Sequence, residues 1–102
     1  MELIIDPEAL DDIQKATDWY NEQLPGLGSR FQIQTVKQIS SLKYSYSRHS
    51  IRYKKVRCML IRKFPYLVHF SVDENRGLIE VFALFHTSRN PKIWLKGKKT
   101  KK

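Results

Sequence analysis

Thiols are nearly missing from this 102-residue chain, in which Cys58 is the one cysteine. That excludes an internal disulfide, fits a reducing cytosol and rules out a zinc site built mainly on thiolates. Long apolar runs are missing too: the longest span a few residues, against the roughly 20 that a membrane-crossing helix needs. The first residues carry the acids Glu2 and Asp6 and no basic stretch ahead of an apolar one, so no signal peptide is expected. The expectation is a soluble, cytoplasmic protein with no membrane partner. Three histidines, at 49, 69 and 86, show no metal-ligand spacing, so neither a metal nor another cofactor is expected. The last scarcity is of acid: beyond residue 30 the chain holds only Asp73, Glu74 and Glu80.

Those three acids face seventeen Lys or Arg across residues 31–102, a net of +14, whereas residues 1–30 hold seven acids against Lys15 and Arg30, a net of −5. Residues 43–63 alone carry eight cations and no acid. Like charges at that density repel one another in the folded state, so they point to a polyanionic partner: RNA, DNA or an acidic protein segment. A hydrophobic fraction of 41% and twelve aromatic residues supply a core, which excludes a disordered polybasic chain. The length suits one domain.

Glu2 to Ile5 reads as a short strand. Asp6-Pro7-Glu8 then reads as a helix start, with Asp6 as cap, Pro7 at the first helical position and Glu8 at the positive end of the dipole. Leu10, Ile13, Ala16 or Thr17, Tyr20 and Leu24 recur at helical spacing and predict a helix over 7–22, with its acids on the solvated face. Pro25-Gly26-Leu27-Gly28 ends it. Ser29 is the expected cap of a second helix over 29–42, with Phe31, Ile33, Val36, Ile39 and Leu42 as its apolar stripe. The two helices are expected to form an antiparallel hairpin. Residues 43–54 read as a loop with room for an irregular edge strand. Three strands follow, over 56–64, 67–72 and 78–85, joined too tightly for crossovers and therefore an antiparallel meander. The expected fold class is α+β: a β-αα-βββ order with a helical hairpin packed on a small antiparallel sheet. Residues 1–94 form the single domain, and 95–102 read as a disordered basic tail.

Strand alternation over 56–63 sets Val56, Cys58, Leu60 and Arg62 on one side and Arg57, Met59, Ile61 and Lys63 on the other. Arg57 and Arg62, with Lys54, Lys55 and Lys63, are candidates for a phosphate-binding face, against the plainer role of solvated charge at a sheet rim. His86 shares parity with Glu80, Phe82 and Leu84 and sits where the last strand runs out, three residues before Arg89. A histidine can move a proton near neutral pH and an arginine can hold a phosphate, a pair that suits metal-independent RNA transesterification. The plainer alternative for His86 is capping a turn or packing on Trp94. His69, between Val68 and Phe70, reads as a packed, hydrogen-bonded core residue. Gly26-Leu27-Gly28 lacks the strand and lysine of a nucleotide loop and reads as a helix junction. Tyr44, Tyr46, Tyr53 and Tyr66 interleave with the cations and can stack on unpaired bases or simply pack.

Four segments in order carry a family resemblance: Trp19-Tyr20-Asn21-Glu22-Gln23-Leu24-Pro25-Gly26-Leu27-Gly28-Ser29-Arg30-Phe31; Val56-Arg57; Arg62-Lys63-Phe64-Pro65-Tyr66; and His86-Thr87-Ser88-Arg89-Asn90-Pro91-Lys92-Ile93-Trp94. Over about residues 3–94 the chain resembles the RelE/ParE superfamily of toxins from type II toxin–antitoxin systems. Its Pro-Gly-Leu-Gly and Phe-Pro-Tyr signatures are similar to the ParE-like, plasmid-stabilisation subgroup. The resemblance implies a small α+β toxin that arrests growth, with a cognate antitoxin as partner. The antitoxin's acidic or amphipathic tail would lie across the basic groove and helical hairpin by strand addition or helix-in-groove contacts.

Two activities follow from the resemblance. RelE-like members cut mRNA in the ribosomal A site without metal; ParE-like members inhibit DNA gyrase and are not nucleases. On the nuclease alternative, Arg57, Arg62, His86 and Arg89 are the catalytic candidates, and Lys54, Lys55, Lys63 and Tyr66 the RNA- or target-binding ones. On the other the protein is a non-enzymatic gyrase inhibitor. A third alternative is a basic nucleic-acid-binding module or an inactive homologue.

Overall fold

The computed structural model describes residues 1–89, so the expectations for 90–102, including the basic tail, Trp94 and the end of the His86 motif, lie outside the described residues. The order is β1 (Glu2–Ile5), α1 (Pro7–Gln23), α2 (Leu27–Ser45), a 3-10 turn (Tyr46–Arg48), β2 (Ile51–Tyr53), β3 (Val56–Leu60), β4 (Tyr66–Asp73) and β5 (Leu78–His86). The sheet order is β1-β5-β4-β3-β2. The meander of β3, β4 and β5 is antiparallel as expected, and β2 is the edge strand for which the 43–54 segment had room. β1 instead joins β5 in parallel, from Glu2↔Leu78 to Ile5↔Val81, so the sheet is mixed. Short turns reveal only neighbouring antiparallel pairs; a parallel pair forms between segments far apart in the chain and leaves no turn signature.

The helical hairpin starts and stops for reasons that differ from its sequence signals. Asp6 occupies the N-cap of α1, but its carboxylate makes no capping bond; Pro7 and the Glu8 charge carry that end. α2 starts before Ser29, at Leu27, because Gly26 takes the N-cap position with φ +93°. The Asn21 carboxamide oxygen accepts from the Gly26 amide (3.2 Å) and the Gly28 amide (2.7 Å), so the preceding helix supplies the caps that a serine would otherwise provide. A Cβ on Gly28 would collide with the Thr17 carbonyl oxygen and the Asn21 side chain, because the two helices approach there backbone to backbone.

This contact also shifts the buried stripes. Leu10, Ile33 and Val36 are exposed, while Ala9, Thr17, Gly28 and Thr35 are buried with Ile13, Ala16, Phe31, Ile39 and Leu42. Close approach selects small side chains, so size rather than hydropathy sets the phase of the seam. Against the hairpin lie Met59, Ile61, Val68, Phe70, Ile79, Val81 and Leu84. The other sheet face holds a smaller cluster of Ala83 and Phe85, with Tyr53, Leu67 and Phe82 packed on it.

A bulge in β5 decides which face His86 joins. His69 pairs with Ala83 and Phe70 with Val81, so Phe82 is the extra residue. Val81 and Leu84 consequently both face the helices, and His86 follows Leu84. The parity with Glu80 and Phe82 expected from simple alternation is broken at this bulge. Beyond the reach of β1, the Leu84 amide donates to the Asp12 carboxylate of α1 (3.1 Å), so one acid of the helix is used to hold the strand.

Candidate functional site

β3 ends, β4 begins and β5 ends at the same edge of the helix-facing sheet surface, and the pair Tyr66↔His86 closes that edge. The C-terminal half of α1 passes beside it. Together Trp19, Tyr20, Pro65, Tyr66 and His86 line an open cleft of about 370 Å³. Its walls are aromatic and meet edge to face: Trp19 with Tyr20 (5.2 Å, 77°), Tyr20 with Tyr66 (6.2 Å, 70°) and Tyr66 with His86 (5.1 Å, 80°). Phe31 and Phe64 extend this packing into the core.

The cleft stands on a turn that is tied down on both sides. Ile61 N–H donates to the Tyr66 carbonyl (2.9 Å), Phe64 N–H to Ile61 (3.2 Å), Tyr66 N–H to Phe64 (2.8 Å) and Thr87 N–H to Pro65 (2.9 Å). From α2, the Gln38 carboxamide accepts from the Arg62 amide (2.7 Å) and donates to the Leu60 carbonyl (3.1 Å). Arg62 and Lys63 are exposed on this turn, and Lys63 adopts a left-handed backbone with φ +72°. A non-glycine residue held there costs on the order of 1 kcal/mol, which its neighbours must offset.

His86 has a defined partner. The Ser88 amide donates to its Nδ1 (3.0 Å), and the Ser88 hydroxyl lies 2.8 Å from the same nitrogen. An amide can only donate, so Nδ1 offers its lone pair and the neutral ring carries its proton on Nε2. Arg89 closes the turn by donating its amide to the His86 carbonyl (3.0 Å), and its guanidinium lies 5.9 Å from the Phe85 ring centroid. Burial, first, raises the Tyr66 hydroxyl above its ordinary range, with the Arg89 charge opposing the rise. Burial also raises Tyr20, with Tyr66 adding to it. Both hydroxyls are therefore neutral near pH 7.

The candidate residues divide between two ends of the sheet. Tyr66 and His86 line the cleft, Arg89 acts on the Tyr66 hydroxyl, and Arg62 and Lys63 are exposed on the turn that leads into Pro65 and Tyr66. Arg57 pairs with Phe70, four positions or about 13 Å along β4 from Tyr66. Its guanidinium donates to the carbonyls of Tyr46 (3.3 Å) and His49 (3.1 Å) and sits 5.8 Å from the Tyr46 ring centroid. Lys54 and Lys55 form the exposed β2–β3 turn at that same far end, Lys54 with φ +48°. Sequence reasoning missed Trp19 and Tyr20 as cleft walls, although an aromatic at 19, off the apolar stripe of α1, was a signal. It also missed Gln38, Ser88 and Asn21, polar residues whose partners are distant or conformational.

A second cluster of titratable groups lies on the opposite sheet face. Tyr53 Oη is 2.9 Å and Cys58 Sγ 3.6 Å from Nδ1 of His69, which is fully buried, as expected of a packed residue. Burial pushes the Cys58 thiol up to about 11, Tyr53 up to about 12 and His69 down to about 4. All three are neutral at pH 7, so the thiol is not an activated nucleophile. Among the described residues no three His, Cys, Asp or Glu side chains gather to hold a metal ion. No described helix is long and apolar enough to cross a membrane.

The sequence matches no protein-family model and no curated protein. Solved structures do match. The chain is 18% identical to a chain of the chromosomal ParDE toxin–antitoxin system from P. aeruginosa, covering 86% of this chain and 97% of that one with a TM-score of 0.75. It is 17% identical to the isolated E. coli RelE toxin, over 97% of each chain, with a TM-score of 0.63. A chain of the intact E. coli RelBE toxin–antitoxin complex gives 18% identity over 86% and 98%, also with a TM-score of 0.63. The chain has the RelE/ParE fold. In that fold the Pro-Gly-Leu-Gly and Phe-Pro-Tyr segments have structural work here: the first seats the helical hairpin and the second builds the turn under the cleft.

Proposed function

We propose that this protein is the toxin of a type II toxin–antitoxin pair and acts as a metal-independent endoribonuclease on ribosome-bound mRNA. The observation that carries the reading is the His86 ring, oriented by Ser88 at an open cleft, with Arg89 three residues on and Arg62 and Lys63 exposed on the turn that leads into Pro65 and Tyr66. In the reaction the 2′-oxygen attacks the neighbouring phosphorus, the bond to the 5′-oxygen breaks, and a 2′,3′-cyclic phosphate and a 5′-hydroxyl result. Arg62 and Arg89 offset charge on the pentavalent phosphate. The neutral His86 donates a hydrogen bond through Nε2–H. The departing 5′-oxygen accepts that hydrogen bond and takes its proton from solvent, while Nδ1 keeps its lone pair toward the Ser88 amide. The 2′-hydroxyl proton leaves to solvent. Lys63 and Tyr66 hold the strand, Lys54 and Lys55 extend the phosphate contacts, and Arg57 supports the site from a distance by fixing residues 46–49.

Induced expression followed by primer extension tests this. In-frame mRNA cuts that fall about 100-fold or more with His86→Ala are expected; intact transcripts in arrested cells overturn the nuclease reading. A gyrase-inhibiting toxin is the second reading, favoured by the higher TM-score to the ParDE structure, 0.75 against 0.63. Loss of supercoiling by purified gyrase at excess toxin, unchanged by His86→Ala, would establish it instead. Either toxin calls for an acidic antitoxin able to cover the cations, and co-purification of the neighbouring gene's product checks that partner.

A further inference from the structure

Trp19 is more than half exposed, 54%, although it is among the largest apolar side chains in the protein. Its exposed indole adjoins the rings of Tyr20, Tyr66 and His86 in one cleft, and a contiguous aromatic surface of that kind suits contact with a partner. Trp19 meets Tyr20 edge to face, an arrangement in which at least one indole face stays clear of Tyr20. Across the cleft stand Tyr66 and His86, aromatic rings set on a braced turn. About 370 Å³ lies at the small end of ligand sites, right for one planar group with its sugar and far too small for a folded segment. Cations flank its lining residues in the chain: exposed Arg62 and Lys63 lead into Pro65, and Arg89 is close enough to act on the Tyr66 hydroxyl. Among the described residues no acid lines the cleft. An aromatic slot whose lining is flanked by cations is complementary to an unpaired base attached to a phosphate.

We infer that the cleft between Trp19 and the Tyr66–His86 pair binds one unpaired nucleobase of single-stranded RNA, with Trp19 as its stacking platform. The inference rests on the nuclease reading for its choice of RNA, and it adds a positioning residue on the acid-rich α1, outside the basic segments. The base seated against Trp19 fixes which phosphate reaches His86, so the slot sets the register of cleavage. A preference for one base over another comes from stacking area rather than from a hydrogen-bond code.

The test uses the purified full-length protein in a Trp94→Phe background, where Trp19 is the remaining indole. It is titrated with a labelled RNA pentamer and with an abasic pentamer of the same backbone. Expected are quenching of Trp19 by the base-bearing strand alone and binding of that strand about tenfold tighter than the abasic one, by anisotropy. Trp19→Ala removes the difference between the strands and Trp19→Phe retains most of it, with melting temperatures confirming that both fold. Cleavage of ribosome-bound mRNA by the unsubstituted protein is read in parallel, so a base preference without cleavage marks the failure of the nuclease reading, and cleavage without a base preference marks the failure of this one. Equal affinity for the two strands, or a preference that survives Trp19→Ala, overturns the inference. So does an antitoxin peptide that quenches Trp19 while the base-bearing RNA does not.

Discussion

At the far end of the helix-facing sheet surface Arg57 is closed on the protein itself, its guanidinium bound to the carbonyls of Tyr46 and His49 and stacked on Tyr46. Tyr46 in turn donates its hydroxyl to Glu74 (3.0 Å), and His49 meets Phe70 edge to face. At the cleft end the backbone is held just as firmly, through Gln38, Pro65 and Ser88, but the Arg62 and Lys63 side chains point outward on an exposed turn. The two ends teach that a cation's position in a basic segment says little about its use. What matters is whether the fold supplies an internal acceptor. Where it does, the cation holds the fold together; where it does not, the charge remains available to a partner.

The largest expected break in that contrast is in activity. His86→Ala removes growth arrest with an effect of about 100-fold or more in cleavage, while thermal melts of the purified variant stay within about 0.5 kcal/mol of the parent. A change in stability as large as that of Arg57→Ala would mean that His86 also serves the fold.

Gly28→Ala attacks the cleft end from behind, since the added methyl drives α2 away from Thr17 and Asn21 and carries Trp19 and Tyr20 with the hairpin. A loss of about 2–4 kcal/mol in urea unfolding is expected, or failure to fold.

His69 tests the opposite sheet face, independent of both ends. Its folded pKa, down to about 4, lies below the unfolded value near 6.5, so the unfolded chain binds more protons between these limits. Its stability contribution is therefore fully present above about pH 6.5 and falls as the pH drops to about 4, by up to about 3 kcal/mol. Urea midpoints measured against pH should show that slope, and His69→Gln should flatten it.

The smallest effect belongs to Arg57→Ala. It deletes two hydrogen bonds to partly buried carbonyls and should cost about 1–3 kcal/mol in the same melts. Arg57→Lys recovers only part of this, because an ammonium cannot repeat the forked contact and the stacking.

Much of the architecture was legible because it depends on short-range rules. The helix limits at Pro7 and near Gly26, the three meander strands and the burial of His69 follow from capping, periodicity and tight turns, all written within a few residues. Errors came where a distant partner decided. Ser29 gave way to Gly26 because Asn21 supplies the cap; Ile33 and Val36 lost the seam to Thr35 because the helices approach too closely for large side chains; and β1 paired with β5 across most of the chain. The candidate site was legible as residue types but not as a grouping. His86 and Arg89 announced themselves by spacing, while Arg57 and Arg62 looked equivalent until one was found bonded inward.

By itself the sequence determined the class of fold, the segregation of charge and the identity of the chemically capable residues, since these depend on composition and local order. Tertiary structure decided which of them share a site. The bulge at Phe82 placed His86 on the helix face, Gln38 and Pro65 fixed the turn under it, and α1 brought Trp19 across from it. Each of those outcomes turns on register and close packing between segments remote in the chain, and neither leaves a mark in local sequence.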